Sequence, residues 1–215
     1  MGRVYMYVVV RDFGFAPNPF HGVCSLATCK PTIRSTAQIG DWIIGMGGSR
    51  LKATGRCIFA MQVTGSLSFD EYWSEPTYLD KRPVRNGSKK MMVGDNIYHR
   101  DPNHGSWLQA DSHHSYADGS VNVYNLERDT KTNRILVSRH FFYFGATAAA
   151  VPSAILNEIG YVNGRSYRVY PLQRCKGLLH WLRQKFGHQL NQVLGDPFDF
   201  DQSGARYSLE SNRVS

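Results

Sequence analysis

The chain has 215 residues, 42% hydrophobic and 20% charged, which is enough to bury a core, and it holds no apolar run near the roughly twenty residues of a membrane span. Twenty-five Lys and Arg against seventeen Asp and Glu leave a formal charge of +8, which favours a polyanionic partner, nucleic acid or nucleotide. Four cysteines with no CxxC pair exclude a disulfide scaffold and point to a reducing cytoplasm.

Residues 4–10, rich in Val and Tyr, read as a first strand. The stretch 12–34, DFGFAPNPFHGVCSLATCKPTIR, carries three prolines, two glycines and three phenylalanines. It is too punctuated for one regular element and too apolar to be loose, so it reads as an ordered loop of the kind that carries function. A short helix is expected over 32–38, and Gly40-Asp41 turns the chain into an apolar strand from Trp42, ended by Gly47-Gly48. A further strand over 57–64 makes an antiparallel pair with it. Ser68 is placed to cap a short helix through Asp70, Glu71, Tyr72 and Trp73. Residues 81–90 concentrate Lys81, Arg82, Arg85, Lys89 and Lys90 without an acid. Residues 93–125 read as a long polar insertion with His99, His104, His113 and His114, of a length that is usually functional when ordered.

Farther on, ILVSRHFFYFG (135–145) is a strong strand signal, with Phe141 and Tyr143 on one face and Phe142 and Phe144 on the other. A short strand follows in RSYRVY (165–170). An amphipathic helix is predicted over 178–194, and the residues beyond Phe200 read as a polar tail open to disorder. The chain is expected to be one domain over 1–200, with a core at 4–152, a C-terminal helical extension and a tail at 201–215.

Several groups of residues invite chemistry. Asp95, Asn96, His99 and Arg100 combine acceptor, amide and cation in one turn-like stretch, suited to a base edge or a phosphate. Asn18, Phe20 and His21 in the early loop are binding candidates, and Phe20 or Trp42 can stack on a base, although most aromatics of such a chain belong to its core. Lys81, Arg82, Arg85, Lys89 and Lys90 either track phosphates or form a solvated loop. In an enzyme, His99, His113 or Asp111 would serve as general acid or base. Cys24 near His21 has the makings of a thiol nucleophile, but a buried structural thiol is the better reading. The histidines match no standard zinc spacing, so no metal and no cofactor is expected. Motifs for dinucleotides, P-loops, GxSxG hydrolases and HExxH zinc peptidases do not occur.

Taken together, the 12–34 loop, IGDWIIG (39–45), FAMQVTGSLSFDEYW (59–73), GDNIYHRD (94–101) and DSHHS (111–115) resemble the nucleotide modification associated domain 2 family of phages and bacteria, over roughly 4–152. That resemblance implies a part in making, recognising or defending against modified nucleotides. A second resemblance, in the order of turn, returning strand, SFDEYW segment and late aromatic strand, is to PUA-like barrels of the EVE, ASCH and YTH kind, which hold a base in an aromatic pocket. The expectation is therefore an α+β fold, mainly antiparallel β, as a PUA-like barrel with peripheral short helices and one C-terminal amphipathic helix. Its expected role is to bind a nucleotide or modified base in a DNA-modification or anti-phage system. The alternative is an enzyme on a nucleotide or DNA base, a transferase or glycosidic-bond hydrolase. Both require the early loop to fold against residues 94–101.

Overall fold

The computed structural model describes residues 2–214. In chain order its strands and helices begin with β1 (Arg3–Val9), β2 (Cys24–Leu26), α1 (Pro31–Thr36), β3 (Trp42–Gly47), β4 (Arg56–Gln62) and β5 (Gly65–Leu67). Next come α2 (Phe69–Ser74), α3 (Lys89–Met92), β6 (Tyr98–Arg100), β7 (Trp107–Gln109), α4 (Val123–Asp129) and β8 (Ile135–Ser138). The last are β9 (Phe141–Tyr143), β10 (Ala149–Ala150), α5 (Ser153–Ile159), β11 (Tyr167–Pro171) and α6 (Lys176–Phe186). None of the described helices is long and apolar enough to cross a membrane.

The residues cluster into two compact units. The first joins the chain up to Asp12 with Ala37–Gly65 and Ser138–Phe198; the second joins Phe13–Thr36, Ser66–Val137 and the residues from Asp199 on.

The first unit is built on a mixed sheet in the order β10-β4-β3-β1-β11, with β9 also on β4. Only β1 and β3 run parallel; β11, β4, β9 and β10 pair antiparallel with their neighbours. The path ends at β10 and β11, so among the described residues the sheet is open and the expected closed barrel does not form. The structure is α+β. Alternation along β1 sends Val4 and Met6 into a core with Trp42, Ile44, Phe142, Phe144 and the α6 leucines Leu178, Leu179 and Leu182. β3 is buried along its whole length, as a strand paired on both edges and covered on both faces must be. Gly45 is required there, because a Cβ at that position would lie 2.1 Å from the Phe59 ring. The turn before β3 is held by Asp41, which accepts from the Arg3 and Gln38 amides and pairs with the Arg3 guanidinium.

The predicted late strand divides at Arg139-His140, where the Ser138 hydroxyl accepts the His140 amide, and both of its aromatic faces are buried. The predicted C-terminal helix is shorter than its apolar pattern: α6 stops at Phe186, and Leu190 and Leu194 reach the same core from irregular chain.

The second unit holds the three-stranded sheet β2-β8-β5 and the hairpin β6-β7, with a core of Phe13, Phe15, Phe69, Tyr98, Ile135 and neighbours. Ser68 caps α2 in a capping box with Glu71, as its position predicts. The insertion over 93–125 is more regular than its sequence suggests, containing β6, β7 and the start of α4. Residues past Phe200 are hydrogen-bonded: the Tyr207 amide donates to Ser115 O, and Arg206 grips Asp111 through two bonds.

Candidate functional site

The early loop does meet the 94–101 stretch. Asn18 bridges to Ser25 through its backbone and donates its amide to Val93 O at 2.8 Å. The Ser25 and Tyr72 hydroxyls donate to the two Asp95 oxygens at 2.7 and 2.9 Å. Lys81 Nζ donates to Asn18 O, Asn18 Oδ1 and Val23 O, which uses all three ammonium protons. Each of these side chains is buried. Burial lowers the Lys81 pKa to about 8 and raises that of Asp95, with each charge partly offsetting the other's shift. This is a closed polar core. Asn18, Asp95 and Asn96, expected to read a ligand's edge, are instead buried, with Asn18 on Val93 O and Lys81, Asp95 on Ser25 and Tyr72, and the Asn96 amide on Tyr72 O and Tyr78 O; Lys81, expected among exposed phosphate contacts, is buried.

A second polar cluster in the same unit differs in kind. Past the end of β2 the chain passes through Ala27 and Thr28 into Cys29 and Lys30, both in the left-handed region (φ 55° and 42°), and α1 begins at the next residue. From α1 the buried Arg34 donates Nε to Cys29 O, Nη1 to Arg134 O and Nη2 to Asp129 O, tying the turn to the C-terminal end of α4. At the other end of α4, Asn122 caps the helix and Asn125 donates to His114 O. These ties bring three side chains into line. His114 Nδ1 lies 2.7 Å from Asp129 Oδ2, and His114 Nε2 lies 3.7 Å from Cys29 Sγ. Asp129 Oδ1 also accepts the Cys29 amide at 2.9 Å and Arg128 Nε at 3.2 Å, and the Tyr98 hydroxyl donates to Oδ2 at 3.2 Å. Arg128 Nη2 is 3.9 Å from the sulfur.

The charges reinforce one another. Burial alone would raise the Cys29 thiol pKa, but the charge and hydrogen bond of His114 outweigh it and the thiol sits below its ordinary value. Burial likewise disfavours a charged His114, yet Asp129 and Cys29 bring its pKa up to about 9. Burial would raise Asp129, and the His114 charge holds it well below the usual carboxylate range. The arrangement favours the thiolate form of Cys29 beside a charged His114 that a buried carboxylate orients. His114 and Asp129 are sealed, whereas Cys29 is partly exposed as a residue.

Cys24, by contrast, is fully buried, and burial pushes its thiol up to about 12. It is the structural thiol that its sequence context favours. Of the predicted acid–base groups, His113 packs on Phe13 and Phe15 with Nδ1 2.9 Å from Ala205 O, and Asp111 is held by Arg206. Phe20 stacks on Phe200, and His21 Nδ1 lies 3.9 Å from Asp80. His99 stacks on Trp73 at 3.8 Å with Arg82 over the Trp73 ring at 3.9 Å, and Arg100 lies over Trp107. Arg85 donates to Met92 O and Gly204 O, Lys89 pairs with Asp201, and Lys90 is exposed. Trp42 belongs to the first unit.

Sequence reasoning passed over Cys29 and Asp129 and preferred His113 to His114. The available signal was a cysteine between a short apolar strand and a Pro-initiated helix, a strand–turn–helix junction that exposes one side chain. Among the described residues, no three His, Cys, Asp or Glu side chains are grouped to hold a metal ion.

No curated protein and no solved structure shows significant similarity to the chain. The match to nucleotide modification associated domain 2 extends over residues 1–204, so the chain belongs to that family.

Proposed function

We propose that the protein is a cysteine-dependent enzyme acting on a nucleotide or a base in nucleic acid, with Cys29 as nucleophile, His114 as acid–base group and Asp129 as its orienting carboxylate. The observation that carries this reading is the line Cys29 Sγ, His114, Asp129, with the imidazole 3.7 Å from one and 2.7 Å from the other and Cys29 the one partly exposed residue of the three. In the first step the thiolate forms a bond to an electrophilic carbon, the bond from that carbon to its leaving group breaks, and His114 Nε2 gives the leaving group its proton. Neutral His114 then takes the proton of an acceptor that displaces the sulfur, which is transfer chemistry. Arg128 and Lys30 beside the sulfur favour an anionic substrate, in keeping with a family associated with nucleotide modification.

The test is selective alkylation. Iodoacetamide at about pH 7, with adducts mapped by mass spectrometry, should modify Cys29 about a hundredfold faster than Cys24, because the thiolate is the reactive form. Incubation with plain and modified nucleotides should give turnover that Cys29→Ser abolishes. Equal labelling of the two thiols, or turnover surviving Cys29→Ser, would sink the proposal.

A second reading is supported by the half-exposed stacks Arg82–Trp73–His99 and Arg100–Trp107. In it, these rings and cations hold a modified base in a PUA-like manner without turnover, as one part of a phage or anti-phage modification system. Binding that survives Cys29→Ser but fails in Trp73→Ala favours it.

A further inference from the structure

The first unit contains a cleft of about 560 Å³ between α6 and the paired ends of β3 and β4. Its floor is apolar, from Trp42, Leu172 and Leu179, and one wall carries Gln62, whose Nε2 is held at 3.2 Å from Gly40 O. Its rim is cationic. Lys176, His180 and Arg183 recur at i, i+4 and i+7, one stripe of a helix, with spacings of about 6 and 4.5 Å along the axis. All three are exposed, and neither Lys176 nor Arg183 forms an ion pair among the described residues. Glu158 of α5 approaches Gly177, and no acid is among the lining residues.

Unpaired cations along one edge of an apolar floor, with a held carboxamide at the side, match a ligand that is anionic at one end and heteroaromatic at the other. We infer that this cleft binds one nucleoside phosphate unit, its phosphate on Lys176 and Arg183 and its base over the floor beside Gln62. The unit is either a free nucleotide or one residue of a single strand. The inference does not depend on the thiol chemistry, since none of the residues that carry it belongs to the Cys29 cluster.

Equilibrium dialysis of the full chain against dAMP, deoxyadenosine and inorganic phosphate tests it, alongside fluorescence anisotropy with a short single-stranded oligonucleotide. Either dAMP binds about tenfold tighter than phosphate or deoxyadenosine, which identifies a free nucleotide, or only the oligonucleotide binds, which identifies a strand. In both cases Lys176→Glu/Arg183→Glu weakens binding about tenfold or more, while Lys52→Glu/Lys185→Glu, with the same net charge, changes it less than about twofold. Both double variants unfold in urea at the parent midpoint, read by the fluorescence of Trp42 and Trp181 in the same unit, which shows that they fold. Equal losses in the two variants, no loss in the first, or no binding of dAMP or oligonucleotide by the parent would overturn the inference.

Discussion

Cys24 and Cys29 belong to the same loop and meet opposite environments. Around Cys24 the polar groups of Asn18, Ser25, Tyr72, Lys81 and Asp95 close on one another, and the thiol is pushed up to about 12. Around Cys29 a similar inventory of carboxylate, cation and tyrosine is arranged about an imidazole, the thiol is lowered, and the residue is partly exposed. Composition does not separate the two clusters. What separates them is whether the charges face one another or face a thiol, which is the difference between a structural network and one suited to chemistry.

The largest expected effect comes from breaking the closed cluster. Lys81→Met removes a buried ammonium with three acceptors and should cost about 3–5 kcal/mol in urea unfolding, while Cys29 in the folded fraction keeps its alkylation rate. A loss below about 1 kcal/mol, or a slowed Cys29, would show that the two clusters do not divide into structure and chemistry.

The open cluster is sharpened by Asp129→Asn. Without the carboxylate, His114 is neutral at about pH 7 and no longer lowers the thiol, so alkylation of Cys29 should slow about 10–100-fold. The sign is set by the thiolate: the deficit should shrink as pH rises and vanish once the variant's thiol is also ionised. A deficit constant across pH would mean that Asp129 acts through folding alone.

The smallest effect concerns His21. Burial, and after it the charges of Lys90 and Lys81, lower its pKa to about 4, below the roughly 6.5 of the unfolded chain. Between those values the unfolded state takes up the proton and the folded state does not, so stability falls as pH drops from about 6.5 towards 4, by up to about 2 kcal/mol. His21→Gln should flatten that limb when unfolding is measured across the range. An unchanged slope would place the acid sensitivity elsewhere.

Much of the fold was legible where one physical signal acts alone. β1, β3 and β4 follow from β-branched and aromatic runs bounded by glycine, and the α2 cap follows from Ser68 and Glu71. α4 was hidden because its buried residues are polar: Asn125 and Asp129 face inward, which defeats a pattern based on apolar spacing. The contact between the early loop and residues 94–101 was anticipated, but proline, asparagine and aspartate announce an ordered loop without saying whether its polar groups point at one another or at a ligand. The Cys29 cluster joins residues 15, 85 and 100 apart in sequence, and no local period links such positions. Of two adjacent histidines, only the surroundings of the folded chain decide that His114 faces Asp129 while His113 faces Ala205.

The junction at Cys29-Lys30 carries one more implication. Two successive non-glycine residues with positive φ form a bend that few amino acids enter willingly, and a side chain branched at Cβ is the worst fitted to it. A protein needing only a bend would do better with glycine or asparagine at this place. Holding a sulfur there gives up conformational ease so that one atom can sit at the apex, and the cost is met by the anchors from Arg34 and Asp129 to the same few peptide groups.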